Sequence, residues 1–199
     1  MVNIVLASGS PRRKELLEQV GLTFEISAAH GEEIITKEMP WEVVEELSLE
    51  KATEVADRYE KEHGISDDMT VIIGADTIVA FDKEIMGKPK NEADAVATLT
   101  KLQNHTHQVY TGVTMIFMSK AGREVESFYE KTDVIMYPMT KSQIKAYVAT
   151  KEPMDKAGSY AIQGKCASYI KGINGDYNNV VGLPVARVMQ TLFSKNIEV

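Results

Sequence analysis

Ser8-Gly9-Ser10, then Pro11 and the adjacent Arg12 and Arg13, link a short apolar run to an amphipathic helical pattern. A strand that turns through such residues into a helix aims free backbone N–H groups and the positive end of the helix dipole at one point, which makes an anion site. Gly9 lets a phosphate approach the backbone, the serine hydroxyls can donate, and the arginines fall in the first helical turn. Cations are disfavoured at a helix N-terminus unless an anion joins them. The plainer alternative is a pair of solvent-facing arginines behind a good Ser-Pro cap.

Asp76 is the second unusual residue, a carboxylate between VIIGA and TIVAF. Burying it is costly unless it is hydrogen-bonded, metal-bound or open to solvent, so it is a candidate functional group. The alternative is an aspartate closing a turn after Gly74. Glu32 and Glu33 stand in a polar stretch, either as a solvated pair or as hard oxygen ligands for a divalent cation shared with phosphates. Lys88, held before Pro89, suits a point contact to phosphate. Gln163 carries a donor and an acceptor on one amide, as reading a base edge requires, although an exposed polar residue before a glycine turn looks the same.

Other chemistries lack their patterns. GxxxxGK[ST] and GxGxxG are both absent, as are HExxH and the GxSxG elbow. The four histidines, His30, His63, His105 and His107, read as surface residues, and Cys166 as a small core residue. With 22 Lys plus Arg against 29 Asp plus Glu, the net charge of −7 opposes binding to nucleic acid or an anionic membrane. Polar residues follow Leu6 at once, so no signal peptide is expected, and the lone cysteine excludes an internal disulfide. A cytoplasmic protein is expected.

The elements that position these groups can be read from periodicity. Residues 2–7 read as a buried strand and 12–20 as a helix, capped by Ser10 and ended by Gly21. A short strand over 24–27 and a polar loop over 30–38 precede a long helix over 40–62, on whose apolar stripe Lys51 intrudes. Residues 70–81 form a strand pair or one bent strand, turning at Asp82-Lys83. A helix over 91–103, capped by Asn91, leads to a hairpin of 108–118 with 124–137. A helix over 140–150, a strand over 166–170 and a helix over 184–193 close the chain. Mixed strands and helices predict an α/β fold with a mixed twisted sheet flanked by helices.

Seven segments then appear in one register: ASGSPRRKELL, GEE, EKA, GADTIV, GKP, DKAGSYAIQG and INGDYNNVVGLP. Over nearly the whole chain the sequence resembles the Maf family of nucleoside triphosphate pyrophosphatases. The resemblance implies one domain, here residues 1–199, with two lobes around a central cleft, akin to inosine triphosphate pyrophosphatases. It also implies a homodimer that splits the α–β phosphoanhydride with Mg²⁺ or Mn²⁺. Ser8, Arg12, Arg13, Lys51 and Lys88 match the family residues that hold the triphosphate, Asp76 the proton acceptor, and Glu33 with Asp76 the metal-proximal carboxylates. Arg12, Thr77 and Gln163 match positions tied to choice of base. IQG and GADT resemble the branch acting on dTTP and UTP rather than 7-methyl-GTP. The family's older association with septum formation implies one alternative, a nonenzymatic nucleotide sensor that regulates division.

Overall fold

The computed structural model describes residues 2–198. Its elements, in chain order, begin with β1 (Val2–Leu6), α1 (Pro11–Gln19), β2 (Glu25–Ile26), α2 (Pro40–His63), β3 (Met69–Phe81) and β4 (Glu84–Met86). There follow α3 (Glu92–Leu102), β5 (Thr106–Ser119), β6 (Gly122–Met136), α4 (Lys141–Ala149), β7 (Ile170–Asn174), α5 (Tyr177–Val181) and α6 (Val185–Ser194). Short 3₁₀ segments occupy Glu152–Asp155, Ala157–Ser159 and Lys165–Tyr169. The strands form one seven-stranded sheet in the order β2-β1-β3-β5-β6-β7, with β4 paired to β3. β1 runs parallel to β2 and β3, whereas β3–β4 and β6–β7 are antiparallel, so the sheet is mixed as predicted.

The chain divides into two compact units. One comprises Met1–Asp76, Thr111–Glu130 and Gly182–Val199, and the other Thr77–Tyr110 and Lys131–Val181. β3, β5 and β6 each begin in one and end in the other. In the first unit α2 lays Ala52, Val55 and Ala56 against Val5, Ala7 and Ile72 of the β1–β3 region and Ile116 and Met118 of β5. Two glycines permit this approach: a Cβ on Gly112 would lie 2.2 Å from the Val44 carbonyl oxygen, and one on Gly74 would lie 2.5 Å from that of Ser48. α6 adds Val185, Val188, Met189 and Leu192 to the buried set, at the helical spacing read from the sequence. In the second unit α3 packs on α4, and Gly158 at φ +67° leaves no room for a side chain beside Val79.

Local signals set most boundaries. Pro11 opens α1 and Gly21, at φ 83°, follows its end. Asn91 caps α3 by accepting the Asp94 N–H, and Thr140 with Gln143 forms a capping box on α4. Asp82 and Lys83, both at positive φ, make the β3–β4 turn. β3 is one strand running through Gly74-Ala75-Asp76-Thr77, which settles the choice between a pair and a single strand.

Three expectations are corrected, and one element is added. Ser10 sits at the N-cap position but its side chain makes no cap bond; its own N–H is taken by Ser8 Oγ at 3.2 Å. The strand expected over 166–170 is a 3₁₀ segment, with β7 starting only at Ile170. There the Lys165 N–H goes to Glu152 and the Ala167 N–H to the Gly164 carbonyl, leaving neither for a ladder. His107 is fully buried rather than superficial: it occupies an inward position of β5, and its Nε2 shares a 2.8 Å hydrogen bond with the Tyr160 hydroxyl. α5 lies in a stretch that periodicity does not mark.

Candidate active site

β1 ends at Leu6, and the turn from Ala7 to Ser10 delivers the chain to α1 with Ser8 buried and Arg12 and Arg13 half-buried. Arg13 folds back over this turn. Its Nη1 donates to Ser8 Oγ at 3.1 Å and its Nε to the Gly182 carbonyl at 2.8 Å. Ser8 Oγ accepts from both Ser10 N–H and Arg13, so its own proton is left for a ligand. Burial pushes the Arg13 guanidinium below its ordinary value, and Arg12 adds to that, while Asp76 and Glu33 pull the other way. An arginine stays charged after any such displacement. These four charges therefore act on one another, and an incoming polyanion would relieve the Arg12–Arg13 repulsion.

Lys51 reaches out from α2 and ends between two carboxylates. Its Nζ lies 2.7 Å from Glu33 Oε1 and 2.6 Å from Asp76 Oδ1. Only about a seventh of the Asp76 side chain, 14%, is exposed, so this pair is far better shielded than a surface salt bridge. The apolar stripe around Lys51 explains the placement: Leu47, Ala52 and Val55 bury the helix against the sheet and leave the ammonium beside β3.

Glu33 is carried by a segment without regular structure, yet that segment is fastened to α2. Glu54 accepts the N–H groups of His30 at 2.9 Å and Gly31 at 2.9 Å, and Arg58 donates to Ser27 Oγ at 2.8 Å and the Ala28 carbonyl at 2.7 Å. The bond from His30, with that from Gly31 and the charge of Arg58, holds the Glu54 carboxyl below the usual carboxylate range. Farther along, Thr36 bonds to Glu46 through both its N–H and its hydroxyl. Glu46, Glu54 and Arg58 fasten this segment to α2, and sequence reading misses them; surface polar residues at helical spacing carry no mark of what they will hold.

An open hollow of about 500 Å³ adjoins Lys51, lined among others by Gly31, Glu33, Ile34, Leu49 and Glu54. Glu32, Glu50 and Asp57 also face it, so its charge repels a triphosphate. Around the Ser8-to-Arg13 turn the charge has the other sign: Arg13 donates to Ser8 Oγ there, and Arg12 lies near enough to act on it.

The remaining sequence candidates belong to the second unit. Thr77 is half-buried on β3, Lys88 is exposed just after β4, and Gln163 is exposed in the turn before the Lys165–Tyr169 segment. The first unit thus gathers Ser8, Arg12, Arg13, Glu33, Lys51 and Asp76, while Thr77, Lys88 and Gln163 lie at three separate points of the chain in the other. Cys166 is buried, and that burial pushes its thiol up to about 12, which leaves it a protonated core residue at neutral pH.

Among the described residues no group of three or more His, Cys, Asp or Glu could hold a metal ion. What the structure offers is two carboxylate oxygens facing one cation-sized position, which the Lys51 ammonium fills. Such a donor set fits Mg²⁺ or Mn²⁺, which keep waters and share ligands with substrate phosphates, and does not fit the closed sites of Zn²⁺.

Comparison with known proteins adds lineage. A dTTP/UTP pyrophosphatase of Agathobacter rectalis is 55% identical over 205 residues, spanning 100% of this chain and 100% of that protein. One from Bacillus cereus is 46% identical, with 100% and 98% covered. The solved Ham1 protein of Staphylococcus aureus overlaps 98% of this chain and 99% of its own at 12% identity and a TM-score of 0.46, a likeness too loose to establish kinship. The family model described as Maf-like protein matches residues 3–195. With the match unbroken from β1 to the end of α6 and the resembling segments in register, the chain belongs to the Maf family.

Proposed function

We propose that this protein is a nucleoside triphosphate pyrophosphatase that converts dTTP and UTP to the monophosphate and pyrophosphate. The observation that carries the reading is full-length identity of 46–55% to proteins of that activity. The geometry of the first unit supports it: a phosphate-accepting turn at Ser8–Arg13 and a carboxylate, Asp76, on the adjoining strand.

In this reading Ser8, Arg12 and Arg13 bind the triphosphate, with Lys88 as a further phosphate contact. Asp76 takes a proton from the water whose oxygen attacks the α-phosphorus. The new P–O bond forms as the bond to the bridging oxygen breaks, and the electron pair leaves on pyrophosphate. Lys51 and the arginines stabilise the charge that builds on the leaving group, in a site where preorganised cations count for more than in bulk water. Glu33 and Asp76 would hold Mg²⁺ or Mn²⁺, and the ion when bound neutralises phosphate charge. Thr77 and Gln163, with Arg12, select the base.

The test is a panel of dTTP, UTP, CTP, GTP, 7-methyl-GTP and ATP with Mg²⁺ or Mn²⁺, followed by product analysis. Monophosphate plus pyrophosphate from dTTP and UTP is the expected result. Binding without products would establish the nonenzymatic sensor, preference for 7-methyl-GTP the other branch, and stepwise release of orthophosphate an ordinary phosphatase. We further propose a cytoplasmic homodimer, supported by the family resemblance and by the absence, among the described residues, of a helix long and apolar enough to cross a membrane. Light scattering at assay concentrations tests the dimer. The net charge of −7 supports a small-molecule substrate over nucleic acid.

A further inference from the structure

We infer that Glu152, acting with Tyr147, is a positioning residue for base selection: together they hold the turn that presents Gln163. The inference rests on the proposed role of Gln163 as a base-reading residue.

Gln163 stands in a turn closed by the Gly164 N–H donating to the Ala161 carbonyl at 3.2 Å. Both flanks of that turn are tied to the same pair of side chains. On one flank the Ala161 N–H donates to the Tyr147 hydroxyl at 3.2 Å; on the other the Lys165 N–H donates to both oxygens of Glu152, at 3.0 and 3.1 Å. Tyr147 closes the bracket by donating its hydroxyl proton to Glu152 Oε1 at 2.9 Å. Burial pushes that hydroxyl above its ordinary value, so it keeps the proton it donates.

The fit is tight. A Cβ on Gly164 would stand 2.1 Å from Glu152 Oε1, so a larger residue next to Gln163 would push the carboxylate out of its place under the turn. Ile162 and Cys166 are buried on either side while Gln163 itself is exposed, which leaves its amide as the polar group the turn displays. Tyr147 is buried on α4, so the bracket is anchored in the core of its unit. An amide that discriminates by hydrogen bonds is sensitive to small displacements of its backbone, and a bidentate carboxylate beneath it removes them.

The experiment is a double-mutant cycle on discrimination, the ratio of kcat/KM for dTTP to that for dCTP. Glu152→Gln and Tyr147→Phe are each expected to lower that ratio by about tenfold, with kcat for dTTP little changed. Either change added to Gln163→Ala should lower it no further. Equal losses on both nucleotides, or effects that multiply with that of Gln163→Ala, would overturn the inference. Should Gln163→Ala shift discrimination while Glu152→Gln and Tyr147→Phe do not, base reading by Gln163 stands and the bracket is refuted. Should Gln163→Ala leave it unchanged, the base-reading role itself fails and the inference falls with it. If the wild-type protein releases no pyrophosphate, the cycle is run on Kd values for the same two nucleotides. Melting temperatures identify unfolded variants, and the conservative Tyr147→Phe provides the comparison where Glu152→Gln does not fold.

Discussion

Gly74 lies on β3 two residues before Asp76, where α2 packs directly against the strand. A Cβ there would sit 2.5 Å from the Ser48 carbonyl oxygen and 2.8 Å from both the N and the Cβ of Ala52. None of these atoms can rotate away. Carbon needs about 3.5 Å, so Gly74→Ala must drive α2 off the strand by about 1 Å. Overpacking of this kind costs about 1–3 kcal/mol, and at about 2–4 °C per kcal/mol for a chain of this size the melting temperature should fall by about 2–12 °C. Lys51 adjoins Ala52, and its 2.6 Å contact with Asp76 spans the same gap. A misplacement near 1 Å costs about 100-fold in rate, so kcat/KM for dTTP should fall by about that factor. Calorimetry and continuous pyrophosphate detection measure the two effects. Gly172→Ala, where nothing lies within 4 Å of the added carbon, is the control and should match wild type. Native melting and native turnover in Gly74→Ala would refute the claim that this contact sets the site's geometry. A lowered melting temperature with unchanged turnover would separate packing from catalysis.

Asp76→Asn should keep the fold, because Glu33 still receives Lys51, yet lower pyrophosphate release by at least about 100-fold; near-normal turnover in the folded variant removes Asp76 from proton transfer. His107 bears on acid stability. Burial pushes it from 6.5 to about 4, so the unfolded chain binds the proton first. Its contribution is therefore fully present above about pH 6.5 and is lost as pH falls toward 4, an effect of about 3 kcal/mol. Melting temperatures across that range should fall more steeply for wild type than for His107→Gln, and parallel curves would refute the assignment.

Whether a feature is legible in the sequence depends on how far its cause lies along the chain. The β1–turn–α1 opening, the Asn91 cap and the Asp82-Lys83 turn each depend on residues within a few positions, and the structure forms them where periodicity, capping and turn rules place them. Asp76 stands out because a carboxylate amid apolar residues violates a local rule. Lys51 is visible as an intrusion on an apolar stripe, but its position between Glu33 and Asp76 depends on three distant segments meeting. His107 is misread for the opposite reason: a polar residue reads as exposed unless its partner is known, and Tyr160 lies 53 residues away. The strand expected at Cys166 does not form because Glu152, thirteen residues before Lys165, captures a backbone donor that a ladder would have used. Thr77 is named by resemblance alone, and Gln163, whose amide suits a base edge but reads equally as an exposed turn residue, is singled out by it.

The pins from Glu46, Glu54 and Arg58 to the segment bearing Glu33 have a bearing on how this region tolerates insertions and deletions. Surface stretches without regular structure ordinarily absorb added or lost residues at little thermodynamic cost. Between Gly31 and Thr36 the chain has only four residues to spend before it meets its next anchor on the same helix, so one residue more or fewer would turn Glu33 away from its lysine. Length here is therefore as much a functional parameter as side-chain identity, and an indel scan would find this irregular stretch behaving like an element of regular structure.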